Sequence, residues 1–254
     1  MRVVTWNVNG LRAAIRKGFW AHVDQLEPDV LLLQEIRVTP EQLGAKDREP
    51  DGWNVVWHPA EKKGYAGVAT MSRLPLEEVG RGMNAPDPQG RVLVTRAGGL
   101  QHVNVYLPSG SRSDEAQKSK EGFMEHFAGW TRSFTDSDQP TVLGGDLNIA
   151  HTDNDIHNPA GNKKNSGFLP HEREWFGSWL ESGWSDLLRE QVGDEKGPYS
   201  WWSNRGRARE LDRGWRIDYL VGNQPVRCTK AFVHRPGGME VSDHAPVVFD
   251  LELG

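Results

Sequence analysis

Apolar residues either alternate with polar ones or run together in short segments at residues 3–8, 30–34, 54–57, 66–71, 91–96, 102–106, 141–143, 216–221 and 246–253. Such segments read as strands. Helical spacing separates some of them. Leu11, Ile15, Phe19 and Val23 recur every fourth residue, and Phe123, Phe127, Trp130 and Phe134 recur at four, three and four, which puts each set on one helix face turned to a core. A third helical segment over 172–188 carries Trp175, Phe176, Trp179 and Leu180 after the turn residue Pro170. The middle strands follow one another too closely for helical crossovers, so the sheets are expected to be hairpin-linked and mostly antiparallel rather than doubly wound. VVTWNVNG (3–10) echoes VLGGDLNI (142–149): each runs apolar, then polar, apolar, polar. Two such halves face to face would bring their polar ends to one edge of a sandwich. With no linker or low-complexity tract, residues 1–254 are expected to form one domain.

Several strand ends carry polar groups that a structural strand has little use for: Asn7, Glu35, Tyr106, Asp146 with Asn148, Asp218, and Asp243 with His244. In TVLGGDLNIAH (141–151), Asp146 and Asn148 are two apart and share a face of an extended chain. Singly, most have a structural explanation: Asn9-Gly10 makes a turn beside Asn7, Glu35 suits a surface, and Asp243 can cap a turn. Asp218 is different. It lies between Ile217 and Tyr219, where a buried carboxylate needs a partner, either arginine or histidine. His151, Asp153, Asp155 and His157 also have ligand-like spacing, but their setting among Asn, Gly and Lys reads as a solvated loop.

Composition narrows the class. The 254 residues are 26% charged and 37% hydrophobic, and the net charge of −5 argues against a general nucleic-acid coat. Locally the sign reverses: Arg205, Arg207, Arg209, Arg213 and Arg216 face only Glu210 and Asp212. Cys228 is the only cysteine, so no intrachain disulfide forms and a small buried hydrophobe is expected there. Met1 leads directly into an apolar run, without a secretory leader or a membrane-length segment, and a cytoplasmic location is expected. Oxygen donors with few nitrogens and no thiolate favour Mg²⁺ or Mn²⁺ over zinc. That cation points to phosphate chemistry, with Glu35 and Asp243 able to hold it, Asp146 to orient water, and a protonated histidine to neutralise phosphate charge.

WNVNGLR (6–12), LLLQEIR (31–37), NVYLPSG (104–110), GGDLNIAH (144–151), GFLPHEREW (167–175), GWRIDYLV (214–221) and VSDHAP (241–246) together resemble the motif series of the exonuclease III type apurinic/apyrimidinic endonucleases, within the endonuclease/exonuclease/phosphatase superfamily. The resemblance implies a four-layered α/β sandwich, two packed sheets flanked by helices with the site at one edge. It implies a monomeric, Mg²⁺-dependent hydrolase that cuts double-stranded DNA 5′ to abasic sites, with 3′ exonuclease or phosphodiesterase activity at blocked ends. Carried over, Glu35 and Asp243 bind the metal with Asn7 nearby, and Asp146, Asn148 and His244 lie within its reach. Tyr106 meets the scissile phosphate or the leaving oxygen, Asp146 positions and deprotonates water, Asn148 holds that water or the transition state, and Asp218 orients His244, whose imidazolium binds a phosphate oxygen. Trp201, Trp215 and Ile217 form the pocket for the flipped sugar, with Gly167 leaving its path clear, and Arg205 and Arg207 meet the DNA backbone.

Asn9 stands where animal members have aspartate, and Ser109 where many have Asn or Gln, which touches metal stoichiometry and DNA contacts. Two other readings use the same scaffold: a non-catalytic nucleic-acid binder, and a phosphatase or phosphodiesterase for lipid head groups. The intact central positions disfavour the first. The arginine-rich loop and GNKKNSGFLP (161–170) disfavour the second.

Overall fold

The computed structural model, which describes residues 1–224 and 226–253, turns the apolar runs into two six-stranded sheets and a short two-stranded ribbon. The first sheet contains β1 (Arg2–Asn7), β2 (Val30–Gln34), β3 (Asn54–His58), β4 (Val68–Ser72), β13 (Val226–Val233) and β14 (Val247–Leu253), in the order β13-β14-β1-β2-β4-β3. The second contains β5 (Glu77–Arg81), β6 (Val92–Ala97), β7 (Leu100–Tyr106), β8 (Thr141–Asp146), β9 (Ser185–Asp186) and β12 (Asp218–Gly222), in the order β5-β6-β7-β8-β12-β9. The ribbon is β10 (Trp201–Trp202) with β11 (Gly214–Trp215). One neighbouring pair in each sheet is parallel, β1 with β2 and β7 with β8, and the others are antiparallel. The internal echo is thus built as two mixed sheets in which β1 and β8 hold equivalent central places.

Alternation assigns the two faces of each sheet. Val4, Trp6, Leu31 and Leu33 turn outward onto the helices Leu11–Arg16 and Phe19–Leu26. Val103, Val105, Leu143 and Tyr219 turn outward onto the helices Asp114–Thr135 and Pro170–Glu181, which contribute Phe127, Phe176 and Trp179. Val3, Val30, Leu32, Leu100, Val142, Leu220 and Phe249 fill the space between the sheets. Each such side chain contributes about 1.5–3 kcal/mol by leaving water, and together they hold four layers in register. The two glycines of β8 permit the close approach. A Cβ on Gly144 would stand 2.5 Å from a Leu220 methyl, and one on Gly145 (φ +149°) would stand 1.8 Å from the Val105 carbonyl oxygen.

The structure departs from the sequence reading in several elements. The first helical stripe is two helices, broken at Gly18 (φ +98°), although Leu11, Phe19 and Val23 still share one core with Ile15 packed against it. The third helix ends at Glu181 rather than near 188, because Gly183 turns with φ +114° into β9, and Leu187–Val192 starts a separate helix. The strands β5 and β13 escape a hydrophobicity reading because they are sheet edges, where charged residues such as Glu77, Glu78, Arg227 and Lys230 replace one apolar face. Asp155 is not solvated. It is fully buried and accepts from Arg216 Nε at 2.6 Å and from Arg189. Arg216 is fully buried too, pairs with Asp186 as well, and so leaves the basic island to become a core anchor. Among the described residues, no helix is long and apolar enough to cross a membrane.

Candidate active site

Because both sheets end their central strands on the same side, the polar groups at those ends meet. Tyr106, Asp146 and Asp218 lie side by side in register across β7, β8 and β12. Asn7 ends β1, and Glu35 follows β2. The amide of Asn7 joins the two sheets, donating to Glu35 Oε1 at 3.0 Å and to Asp146 Oδ2 at 2.9 Å. Asn9 donates to Asp243 Oδ1 at 2.7 Å, and Trp201 Nε1 donates to Asp243 Oδ2 at 3.2 Å. The Asn148 backbone N–H donates to Asp146 Oδ1 at 2.9 Å, while its side-chain amide donates to the Leu107 carbonyl at 2.9 Å. Asn9, Glu35, Arg37 and Asn148 all have φ between +46° and +51°. Left-handed backbone at a residue other than glycine costs on the order of 1 kcal/mol, so four such residues concentrate strain at this edge. Their side chains are thereby aimed where a relaxed strand end would not aim them.

His244 is held from behind. Its Nδ1 lies 2.9 Å from Asp218 Oδ2, which also accepts from the Ser200 hydroxyl at 2.6 Å. Ser200 Oγ in turn accepts from the backbone N–H groups of Ile217 (3.2 Å) and Asp218 (3.1 Å). Burial disfavours charge on His244, yet Asp218 and Asp146 outweigh it and raise the imidazolium pKa to about 10. Its Nε2 is 3.9 Å from Asp146 Oδ2. Burial, aided by the charges of Asp218 and Glu35 and opposed by His244, lifts Asp146 to about 7. Burial and the charges of Glu35 and Asp146 keep the Tyr106 phenol protonated well beyond its ordinary range. Asp243 is lowered: burial works against its charge, but His244, Asn9 and Trp201 prevail.

Among the described residues, Asp146, Asp218 and His244 form the one cluster with atoms at mutual metal-ligand spacing, but His244 and Asp218 already satisfy each other. Glu35 and Asp243, named from sequence as metal ligands, both line the same cleft. Four carboxylates, Glu35, Asp146, Asp218 and Asp243, gather at this edge, with Arg37 beside Glu35 and His244 between Asp218 and Asp146, while Arg112, Lys164 and Arg205 line the outer cleft. The clustered carboxylate and amide oxygens suit a hard divalent cation.

The cleft has a volume of about 880 Å³ and is lined by Tyr106, Asp146, Asn148 and His244 together with Trp201, Trp215, Ile217, Gly167 and Arg205; Asp218 lies buried behind His244. The indoles of Trp201 and Trp215 meet edge to face, 6.0 Å apart, over Ile217. The Gly167 expectation changes. Gly167 has φ +89°, and a Cβ there would stand 2.9 Å from the Asn148 carbonyl oxygen and 3.2 Å from Trp215. It is glycine so that two backbones can touch, and a side chain there would displace Asn148 before it met any sugar. The basic loop also divides. Arg205 lines the cleft, Arg207 is exposed with only Glu210 3.9 Å away, and Arg209 binds Asn204.

Residues that sequence reasoning missed stand directly behind these. Lys120 and Glu172, both fully buried, pair at 2.6 Å; Lys120 also donates to the Asn148 carbonyl at 2.9 Å, and Glu172 accepts from the Gly167 N–H at 2.6 Å. Arg91 lies 4.6 Å from the Tyr106 ring centre and donates to the Tyr106 carbonyl at 2.9 Å. Lys120, Arg91 and Ser200 have no local signal, because each acts across 15 or more positions of chain; Glu172 has one, at N3 of the helix that Pro170 opens.

A phenol, clustered carboxylates and an imidazole braced by Asp218 around an open cleft are the groups a phosphate-ester hydrolase uses. The sequence pattern of the Endonuclease/Exonuclease/phosphatase family matches residues 4–244, and the chain belongs to that family. It is 36% identical over 256 residues to an exodeoxyribonuclease of Bacillus subtilis, covering all of both chains. It superposes on an AP endonuclease from Archaeoglobus fulgidus with a TM-score of 0.91, 27% identity and complete coverage of both chains. A 3′ phosphatase from Neisseria, solved with a product DNA hairpin, matches with a TM-score of 0.85 and 32% identity over 99% of each chain.

Proposed function

We propose that the protein is a Mg²⁺-dependent DNA repair hydrolase that cuts the backbone 5′ to an abasic site. The observation carrying this reading is the opposition of Asp146, near 7, and cationic His244, 3.9 Å apart, at the mouth of a pocket walled by two indoles. His244, braced by Asp218 and with a pKa raised well above its ordinary value, is suited to donate to a phosphate oxygen. Asp146 accepts the proton of the attacking water, a task for which a pKa near the working pH is well suited. Asn148, anchored through Leu107, orients that water. Neutral Tyr106 donates to the phosphate or to the leaving oxygen. Glu35, Asp243 and Asn7 would hold Mg²⁺, which supplies electrophilic stabilisation of the phosphate and of the departing oxygen. The pocket of Trp201, Trp215 and Ile217 fits a flipped deoxyribose and leaves little room for an attached base, while Arg205 and Arg207 hold flanking phosphates. Every group comes from one chain, so the monomer is sufficient, and a lone buried Cys228 suits the cytoplasm.

The names of the relatives support DNA as the substrate. The likeness to a 3′ phosphatase makes 3′-end processing the second reading. A duplex with one abasic analogue, incubated with and without Mg²⁺ and read on a sequencing gel, separates the two. Mg²⁺-dependent incision leaving a 3′-hydroxyl is expected. Trimming confined to 3′ ends would favour the second reading, and equal cutting of intact and abasic duplexes would refute the sugar pocket.

A further inference from the structure

The layer between the sheets is apolar at its far end and polar under the cleft. Thr5, Gln34 and Asn104 are all fully buried there, where polar groups persist only if bonded. Gln34 Nε2 donates to Asn104 Oδ1 at 2.8 Å and to Thr5 Oγ1 at 3.1 Å. Asn104 Nδ2 donates to the Ala69 carbonyl at 2.8 Å and to the Leu33 carbonyl at 3.2 Å. Asn104 belongs to the second sheet, whereas Gln34, Leu33 and Ala69 all belong to the first. One side chain therefore bonds three groups across the sandwich, in a layer whose other side chains, such as Leu32 and Leu220, pack through apolar, non-directional contacts.

The position of this link gives it a use. Gln34 immediately precedes Glu35, and Asn104 lies two residues before Tyr106 on the same face of β7. Glu35, the proposed metal ligand, and Tyr106 come from different sheets and both line the cleft. Van der Waals packing alone lets two sheets slide by fractions of an ångström at little cost, but a bidentate amide bonded to two carbonyls and a second amide does not. We propose that Gln34 and Asn104 are positioning residues: their inter-sheet hydrogen bonds fix the distance between Glu35 and the Tyr106–Asp146 edge, and so set metal affinity and the rate of the chemical step. This rests on the metal role of Glu35 proposed above.

The test uses Asn104→Leu, close in shape but without hydrogen bonds, and Asn104→Ala as a milder variant in case the first does not fold. Leu32→Ala, in the same layer and bonded to Gln34 only through a backbone carbonyl that the substitution keeps, serves as a destabilised control. Mn²⁺ affinity is measured by calorimetry on DNA-free protein at a temperature where every variant is folded, alongside the single-turnover rate at saturating metal. Asn104→Leu or Asn104→Ala is expected to weaken Mn²⁺ binding and slow the chemical step by tenfold or more, with Leu32→Ala within twofold of wild type in both. In combination with Glu35→Gln, the affinity loss is expected to be no larger than that of Glu35→Gln alone, since coupled residues are not additive. Wild-type affinity and rate in a folded Asn104 variant would overturn the proposal, as would equal losses in Leu32→Ala. If Glu35→Gln binds Mn²⁺ like wild type, the metal role of Glu35 fails. The positioning role is then decided by the rate alone, standing if only the Asn104 variants are slowed and falling if they are not.

Discussion

Replacing Asp218 by asparagine removes one charge while keeping the shape behind His244. An amide oxygen can still accept from Nδ1, so the ring should stay in place, and Ser200 keeps its backbone donors. The charge lost is 2.9 Å from Nδ1, and a unit charge about 3 Å away at an effective dielectric of about 20 is worth roughly 5 kcal/mol. Each pKa unit is about 1.4 kcal/mol, which sets an upper limit near four units for a pair that solvent does not screen. His244 is raised from 6.5 to about 10 with Asp218 as the largest favourable influence and Asp146 the next. Since Asp146 remains, we expect Asp218→Asn to lower the His244 pKa by about two to three units. The sign follows from a raised pKa: the cation is present below it and is lost as pH rises through it, so the alkaline limb of the rate profile should move toward neutrality. Histidine ring nitrogen shifts followed by NMR across pH 5–11 give the pKa directly, and single-turnover rates over the same range give the limb. An imidazole that still titrates near 10 in the variant, or an alkaline limb that does not move, would show that Asp218 does not hold the proton on His244.

Asp146→Asn should lower the single-turnover rate by about 10²–10⁴, the range for a lost general base, while DNA affinity measured by anisotropy changes only a few-fold; a rate within tenfold of wild type would remove Asp146 from proton transfer. His102 is fully buried, and burial pushes its pKa from 6.5 down to about 4. A base kept neutral in the fold favours the unfolded chain as pH falls from 6.5 to about 4, a loss of about 3 kcal/mol. His102→Leu should lack that part of the acid sensitivity in urea titrations at several pH values, and an unchanged slope would contradict the burial argument. Arg205→Ala with Arg207→Ala should reduce the slope of log affinity against log salt by about 1.8, if each neutralises one phosphate of duplex DNA; an unchanged slope would leave both as solvated loop.

Elements whose faces are sorted by burial were legible in the chain: β1, β2, β4, β7 and the stripe Phe123, Phe127, Trp130, Phe134 all follow from alternation or helical spacing, since water selects those patterns locally. So was the list of odd polar residues at strand ends, because a carboxylate such as Asp218 between Ile217 and Tyr219 has no place in a strand without a partner. The edge strands β5 and β13 were not, because they owe their existence to a neighbour's open hydrogen bonds rather than to their own apolar content, whereas the edge strand β3 keeps an apolar run and was legible. Tertiary structure alone decided which polar residues act together. Arg216, one of five arginines in a basic stretch of sequence, turns inward to Asp155 and Asp186, while Arg205 in the same stretch turns to the cleft. Ser200, Lys120, Glu172 and Asn104 reach their partners across 18 to 71 positions of sequence. Hydrophobic periodicity is a property of neighbouring residues, whereas a hydrogen bond between two sheets exists only once both are packed; the chain therefore specified the layers by itself, and the packing of those layers specified the site.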